Sequence, residues 1–127
     1  MDTQGLLLLA QVVLPIDLLS RFEIIKVESD EKDIRIYLDE IADEMNINNP
    51  DIESKGFTSA VTVRDFPIRD KGVDLIVRRR RWYNKATKTS FTTSHEDLQA
   101  EGVRYSKEFA AFLKEVYGGE SFDLPFA

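Results

Sequence analysis

The sequence predicts a single α+β domain over residues 1–127: an antiparallel β-sheet of two hairpins, residues 22–38 and 57–93, flanked by N-terminal and C-terminal helices. Three observations predict it. Apolar residues alternate with polar ones in two blocks joined by short polar turns, the period of strands that bury one face. Apolar residues recur at helical spacing before the first block and after the last. The chain has 127 residues, 43% of them apolar and 31% charged. That suits one globular domain and is short for two.

Residues 1–21 read as helical. Leu6, Leu9, Ala10 and Val13 share one face, and Pro15 opens a second short helix through Ile16, Leu18 and Leu19. The apolar run Leu6 to Leu14, broken only by Gln11, is half the roughly 20 residues a spanning helix needs. A core helix is expected there, in a cytoplasmic protein with no membrane partner.

Residues 22–93 read as mainly β. In the first strand Phe22, Ile24 and Lys26 face one way and Glu23, Ile25 and Val27 the other. Ser29 to Lys32 is a polar turn, and Ile34, Ile36 and Leu38 then oppose Arg35 and Tyr37. Residues 39–54 are acidic, Asn-rich and nearly without period, so a surface loop is expected, with Ile41, Met45 and Ile47 able to support a helical turn. The β pattern returns from Gly56. Val61 to Ile68, the turn Arg69 to Gly72, the long strand Val73 to Tyr83, the turn Asn84 to Lys88 and the short return Thr89 to Thr93 follow in order. Residues 94–118 read as helical again. Ser94 and Asp97 open a short segment, and Tyr105, Phe109, Phe112, Leu113 and Val116 mark an amphipathic helix that Gly118-Gly119 ends. Residues 119–127 form a tail.

There is no cysteine, which excludes disulfide scaffolds, cysteine nucleophiles and thiolate zinc sites. The single histidine, His95, excludes a two-histidine metal site, and a surface or capping role is expected for it. Asp39, Glu40, Asp43 and Glu44 lack the spacing of a calcium loop and read as a solvated acidic loop. No cofactor is expected.

Net charge is −6, but it is segregated. Residues 1–54 carry −9, residues 55–93 carry +7 and residues 94–127 carry −4. The basic middle centres on Arg78-Arg79-Arg80-Arg81-Trp82-Tyr83. Guanidinium groups bind phosphate bidentately, and aromatic rings stack on sugars or bases. Lys71, Lys85 and Lys88 in the adjoining turns would widen such a patch. The other reading is a strand end whose arginines pair with the acidic segment 30–53.

The stretch Val63 to Tyr83, with Asp65, Pro67, Gly72, alternating apolar residues and the arginine run before Trp82, resembles the N-terminal region of bacterial insertion-sequence transposases of the ISL group. Ala100 to Glu115, together with Met1 to Gln4 and Ser54 to Phe57, is similar to the ISAon-type transposase N-terminal region. The resemblance implies a non-catalytic part that binds the DNA ends of the element and positions a catalytic DDE part on a separate or downstream polypeptide. It implies phosphate contacts from Lys71 and Arg78 to Arg81, with Lys85 and Lys88 beside them and Trp82 and Tyr83 supporting the strand or resting on sugar. Relatives with a zinc ribbon place cysteine pairs around this hairpin. This chain has none, so no zinc site carries over, and apolar side chains such as Phe57, Val73, Leu75 and Trp82 are expected to hold the hairpin. The expected partners are element-end DNA, the catalytic transposase subunit or domain, and a second copy of the chain. The alternative is an interaction or oligomerisation module without direct DNA binding, joined through the leucine-rich N-terminus and the Phe122, Leu124 and Phe126 tail, with the arginines as internal pairs.

Overall fold

Strands dominate the computed structural model, which describes residues 5, 14, 16–68, 70–95, 107–114 and 118–119. The helix expected over 6–13, residues 96–101 of the one expected over 94–101 and residues 120–127 lie outside the described residues; Ser94 and His95 are described and are not helical. The elements run α1 (Ile16–Leu19), β1 (Phe22–Ser29), β2 (Asp33–Glu40), α2 (Glu44–Ile47), β3 (Ile52–Phe57), β4 (Val61–Ile68), β5 (Lys71–Arg78), β6 (Arg80–Asn84), β7 (Thr89–Phe91), α3 (Lys107–Lys114) and β8 (Gly118–Gly119). The α+β class agrees with the expectation. Among the described residues no helix is long and apolar enough to cross a membrane.

The sheet arrangement differs from the expectation. There are two four-stranded sheets, ordered β1-β2-β5-β4 and β3-β6-β7-β8. The first is mixed, because β2 and β5 are parallel, with Ile34 beside Val73, Ile36 beside Leu75 and Leu38 beside Val77. Parallel neighbours need a long crossover. Residues 41–70 supply it by visiting the second sheet as β3 and returning as β4. The second expected hairpin is therefore divided: β4 and β5 belong to the first sheet, β6 and β7 to the second.

The chain passes between the sheets over residues 41–51, through residues 58–60 and at Arg79. The last two crossings are bonded to each other. Thr58 N–H donates to the Arg79 carbonyl at 2.8 Å, and Arg79 N–H donates to Thr58 Oγ1 at 3.2 Å. Backbone groups that leave one ladder before joining the next are thus still paired.

The core forms where alternation predicts it. Ile34, Ile36 and Leu38 of β2 and Val73, Leu75 and Val77 of β5 are buried side by side, covered by Leu18, Phe22, Val63 and the α3 residues Phe109, Phe112 and Leu113. In β1 the expected faces change partway, because the register shifts between Ile24 and Lys26. A bulge adds one residue and reverses the alternation beyond it. Phe22 and Val27 are both buried as a result, while Ile25 is exposed.

The acidic segment is more ordered than a loop. Asp43 caps α2 by accepting Met45 N–H at 3.0 Å, and β3 follows. Gly56 takes φ +83° within the register shift of β3, a conformation glycine adopts without a side-chain clash. Gly118-Gly119, expected only as a helix stop, pairs with Phe91 and Ser90 as β8.

Candidate functional site

The arginine run begins at the end of β5 and continues into β6. Side-chain parity survives the crossing between sheets: Val73, Leu75 and Val77 are buried, and so are Arg79 and Arg81, each 1% exposed. Four arginines at the end of one strand cannot all pack in a core. Two of them do. The Arg79 guanidinium lies 4.3 Å from the centre of the Phe112 ring and donates to the Phe112 carbonyl. A cation over an aromatic face with a carbonyl acceptor offsets part of its desolvation, and arginine is more weakly hydrated than lysine. Burial lowers the affinity of Arg81 for its proton.

The outward pair is engaged as well. Arg78 binds Asp39 bidentately, with Nε to Oδ1 at 2.7 Å, and this pairing raises its pKa. Arg80 donates from its backbone N–H to Glu40 Oε1 at 2.7 Å and from Nε to the Glu40 carbonyl at 2.9 Å. Phe57 lies between the two, with ring-centre distances of 4.4 Å to Arg78 and 4.8 Å to Arg80.

These positions revise the expected phosphate contacts. Buried Arg79 and Arg81 are out of reach of a DNA backbone. Arg78 already pairs with the Asp39 carboxylate, and Arg80 Nε is engaged by the Glu40 carbonyl. Lys71 donates to the Asp30 carbonyl at 2.6 Å and to Ser29 Oγ at 2.8 Å. Trp82 is buried on the face of β6 opposite Arg81, so this strand is covered on both faces. Arg78, though paired, keeps a side chain 44% exposed, and the hairpin end is accessible as well. Lys85 and Lys88 are exposed in the β6–β7 turn, Tyr83 is half-buried before it, and Lys55 Nζ sits 5.8 Å from the Tyr83 ring centre. Lys88 holds φ 59°, the left-handed region that costs a non-glycine residue about 1 kcal/mol.

A second cluster was not anticipated. Glu40 continues the row Ile34, Ile36, Leu38 and is buried at its end. Its Oε2 meets His95 Nε2, and its Oε1 takes the Arg80 N–H. His95, expected near the surface, is buried. Its backbone N–H donates to the Leu113 carbonyl at 3.1 Å, and its ring tilts against Phe22 at 4.9 Å. His95 Nδ1 has no hydrogen-bond partner among the described residues. Period-two spacing from Ile34 marks Glu40 as inward-facing. That signal was present in the sequence but was overridden by the acidic surroundings.

A cleft of about 490 Å³ opens beside this pair, lined by Ser20, Arg21, Glu40, Ile41, Ala42, Asp43, Glu44, Met45, Thr93 and His95. The volume falls in the range of ligand and side-chain pockets. Ile41, Met45 and Ile47 are exposed at and near its rim, Met45 to 81%. Among the described residues no group of three acidic or histidine side chains is placed to hold a metal ion. The Asp39 carboxylate is taken by Arg78, that of Glu40 by the Arg80 backbone N–H and His95, and Asp43 caps α2. No protein-family model, curated protein or solved structure matches this chain.

Proposed function

We propose that this chain is the non-catalytic N-terminal part of an insertion-sequence transposase, and that it acts as an assembly module that binds the catalytic part. The resemblance of residues 54–83 and 100–115 to that transposase region supports the first half. One observation carries the second: the arginine run is engaged within the fold, with Arg79 and Arg81 buried and Arg78 and Arg80 held by Asp39 and Glu40. Arginines buried or engaged within the fold have less to offer a phosphate, which favours the interaction module over a phosphate-gripping strand.

A specific observation keeps direct DNA contact as the second reading. Lys85, Lys88, Tyr83 and Lys55 cluster at the β6–β7 end of the second sheet, where lysines and an aromatic ring could meet backbone phosphate and sugar. Such contacts would supply affinity but little sequence readout.

Two measurements on the full chain separate the readings. Sedimentation velocity with the purified catalytic polypeptide should show a complex that survives the change of Lys55, Lys85 and Lys88 to Ala. Fluorescence anisotropy on a random duplex and on an element end, titrated with salt, should show a shallow slope. No complex, together with a steep slope lost in the triple-lysine variant, would transfer the function to the hairpin.

A further inference from the structure

A sheet edge is a row of unpaired backbone donors and acceptors unless something covers or interrupts it. The edges of this molecule differ. β4 carries Pro67, which has no N–H, and its register shifts between Asp65 and Ile68. β3 shifts between Ser54 and Phe57, and β8 is two residues long. β1 is eight residues long and ends the first sheet, and among the described residues it pairs only with β2.

Ile41 N–H donates to the Arg21 carbonyl, and Asp30 N–H donates to the Asp33 carbonyl. Backbone direction alternates along a strand, so the N–H and C=O groups of Phe22, Ile24, Val27 and Ser29 point away from β2. The bulge leaves Ile25 52% exposed at this edge. Glu23 and Lys26 pair with Asp39 and Tyr37 of β2 and are exposed on the outer face of the sheet. Lys26 meets Glu28 of its own strand at 3.1 Å, with its side chain still 56% exposed.

We propose that β1 is the interface of a symmetric dimer, pairing antiparallel with β1 of a second copy and joining two first sheets into one. Outward backbone groups meet when Phe22 faces Val27 of the second copy. That register sets Ile24 against Ile25 at the two-fold axis and Glu23 against Lys26 beside it, each contact occurring twice. A slip of two residues one way sets Glu23 against Glu28, and a slip the other way sets Arg21 against Lys26. Like charges therefore exclude the neighbouring registers. A lysine on an edge normally discourages pairing, and here one register alone offers it a carboxylate. The dimer goes beyond the assembly reading and does not depend on the catalytic polypeptide.

The test uses the full chain. Sedimentation velocity should show its mass rising with concentration to that of two copies. Glu23→Lys and Lys26→Glu should each weaken the dimer about tenfold or more, because each sets like charges together twice. Mixed in equal amounts, the two variants should form a heterodimer about as tight as the unmodified dimer, since every facing pair is again opposite in sign. Both residues are exposed, so both variants should fold, which circular dichroism checks. Hydrogen exchange at the Phe22 and Val27 amides should slow as the dimer forms.

A chain that stays monomeric up to its solubility limit overturns the proposal. So does a dimer that either single variant leaves intact, which would put the interface elsewhere. Two folded variants that fail to pair when mixed overturn it as well, because the charge register would then be wrong. A dimer with unchanged exchange at Phe22 and Val27 would mean that the strands do not join, and it overturns the proposal too.

Discussion

At one end of the first sheet, where β2 and β5 begin, Glu28, Asp30, Arg35 and Lys71 form a network open to water. At the other end, where the same strands finish, Glu40, His95 and Arg79 lie closed to it. The residue types are alike. In the open network Arg35 reaches Glu28 at 3.3 Å and Asp30 at 3.1 Å, and Tyr37 donates to Glu28 at 2.8 Å. Its side chains are a third to a half exposed, so water and salt screen the pairs and they contribute little. In the closed network a lost partner leaves a buried ion or dipole with no water to replace it. Burial, not the inventory of charges, sets what each contact is worth.

Three predictions break or sharpen that contrast. The largest effect is expected at the closed end. Glu40→Ala should destabilise the chain by about 3 kcal/mol in urea unfolding, because His95 and the Arg80 N–H lose their acceptor together. Glu40→Gln, which keeps an acceptor oxygen, should cost clearly less. Equal costs for the two would mean that volume and not polar pairing governs the site.

A smaller effect is expected at Gly72. A Cβ there would overlap the Arg64 guanidinium and come within 2.6 Å of Asp33 Oδ1. The Arg64 head is half exposed, so it can swing away, loosening its pairs with Asp33 at 3.2 Å and Asp74 at 2.9 Å. Gly72→Ala should cost about 1 kcal/mol or less. A loss as large as that of Glu40→Ala would show that the open end is as rigid as the closed one.

The smallest effect is an acid dependence. The Tyr37 hydroxyl, with Lys26 and Arg35, lowers the Glu28 pKa from 4.5 to about 2. The Asp33 and Lys32 backbone N–H groups, with Arg35, lower that of Asp30 from 3.8 to about 2. Both folded values lie below the unfolded ones. Their stabilisation is therefore complete above about pH 4.5 and fades as pH falls toward about 2. Glu28→Gln should lower the urea midpoint at neutral pH and converge with the unmodified chain near pH 2, so its midpoint varies less across that window. A variant that loses stability equally at all pH values would rule out charge as the cause.

Much of the first sheet was legible in the residues. Ile34, Ile36 and Leu38, and Val73, Leu75 and Val77, alternate so cleanly that their strands and buried faces follow from period two alone. The amphipathic spacing of Phe109, Phe112 and Leu113 placed α3 in the same way. The parallel pairing of β2 with β5 was not legible, because alternation specifies a face and says nothing of a neighbour. The reversed face of β1 was hidden too, since a bulge is one inserted residue with no compositional mark. The candidate site was legible only at Tyr83, Lys85 and Lys88. Arg79, Arg81 and His95 were assigned outward by charge, and Glu40 went unread among its acidic neighbours.

What the sequence determined by itself was local: most of the strand residues, where the turns fall, and that Arg79 and Arg81 continue the side-chain parity of Val73, Leu75 and Val77, although the expected single strand divides at Arg79. Those follow from backbone geometry and side-chain period, which act over a few residues. What only the tertiary structure decided was the environment. Whether Arg79 meets phosphate or Phe112, and whether His95 meets water or Glu40, depends on surfaces brought together from distant segments. Burial is a property of the assembled sheets and helix, and burial decides whether a charge is a surface to offer or a contact already made.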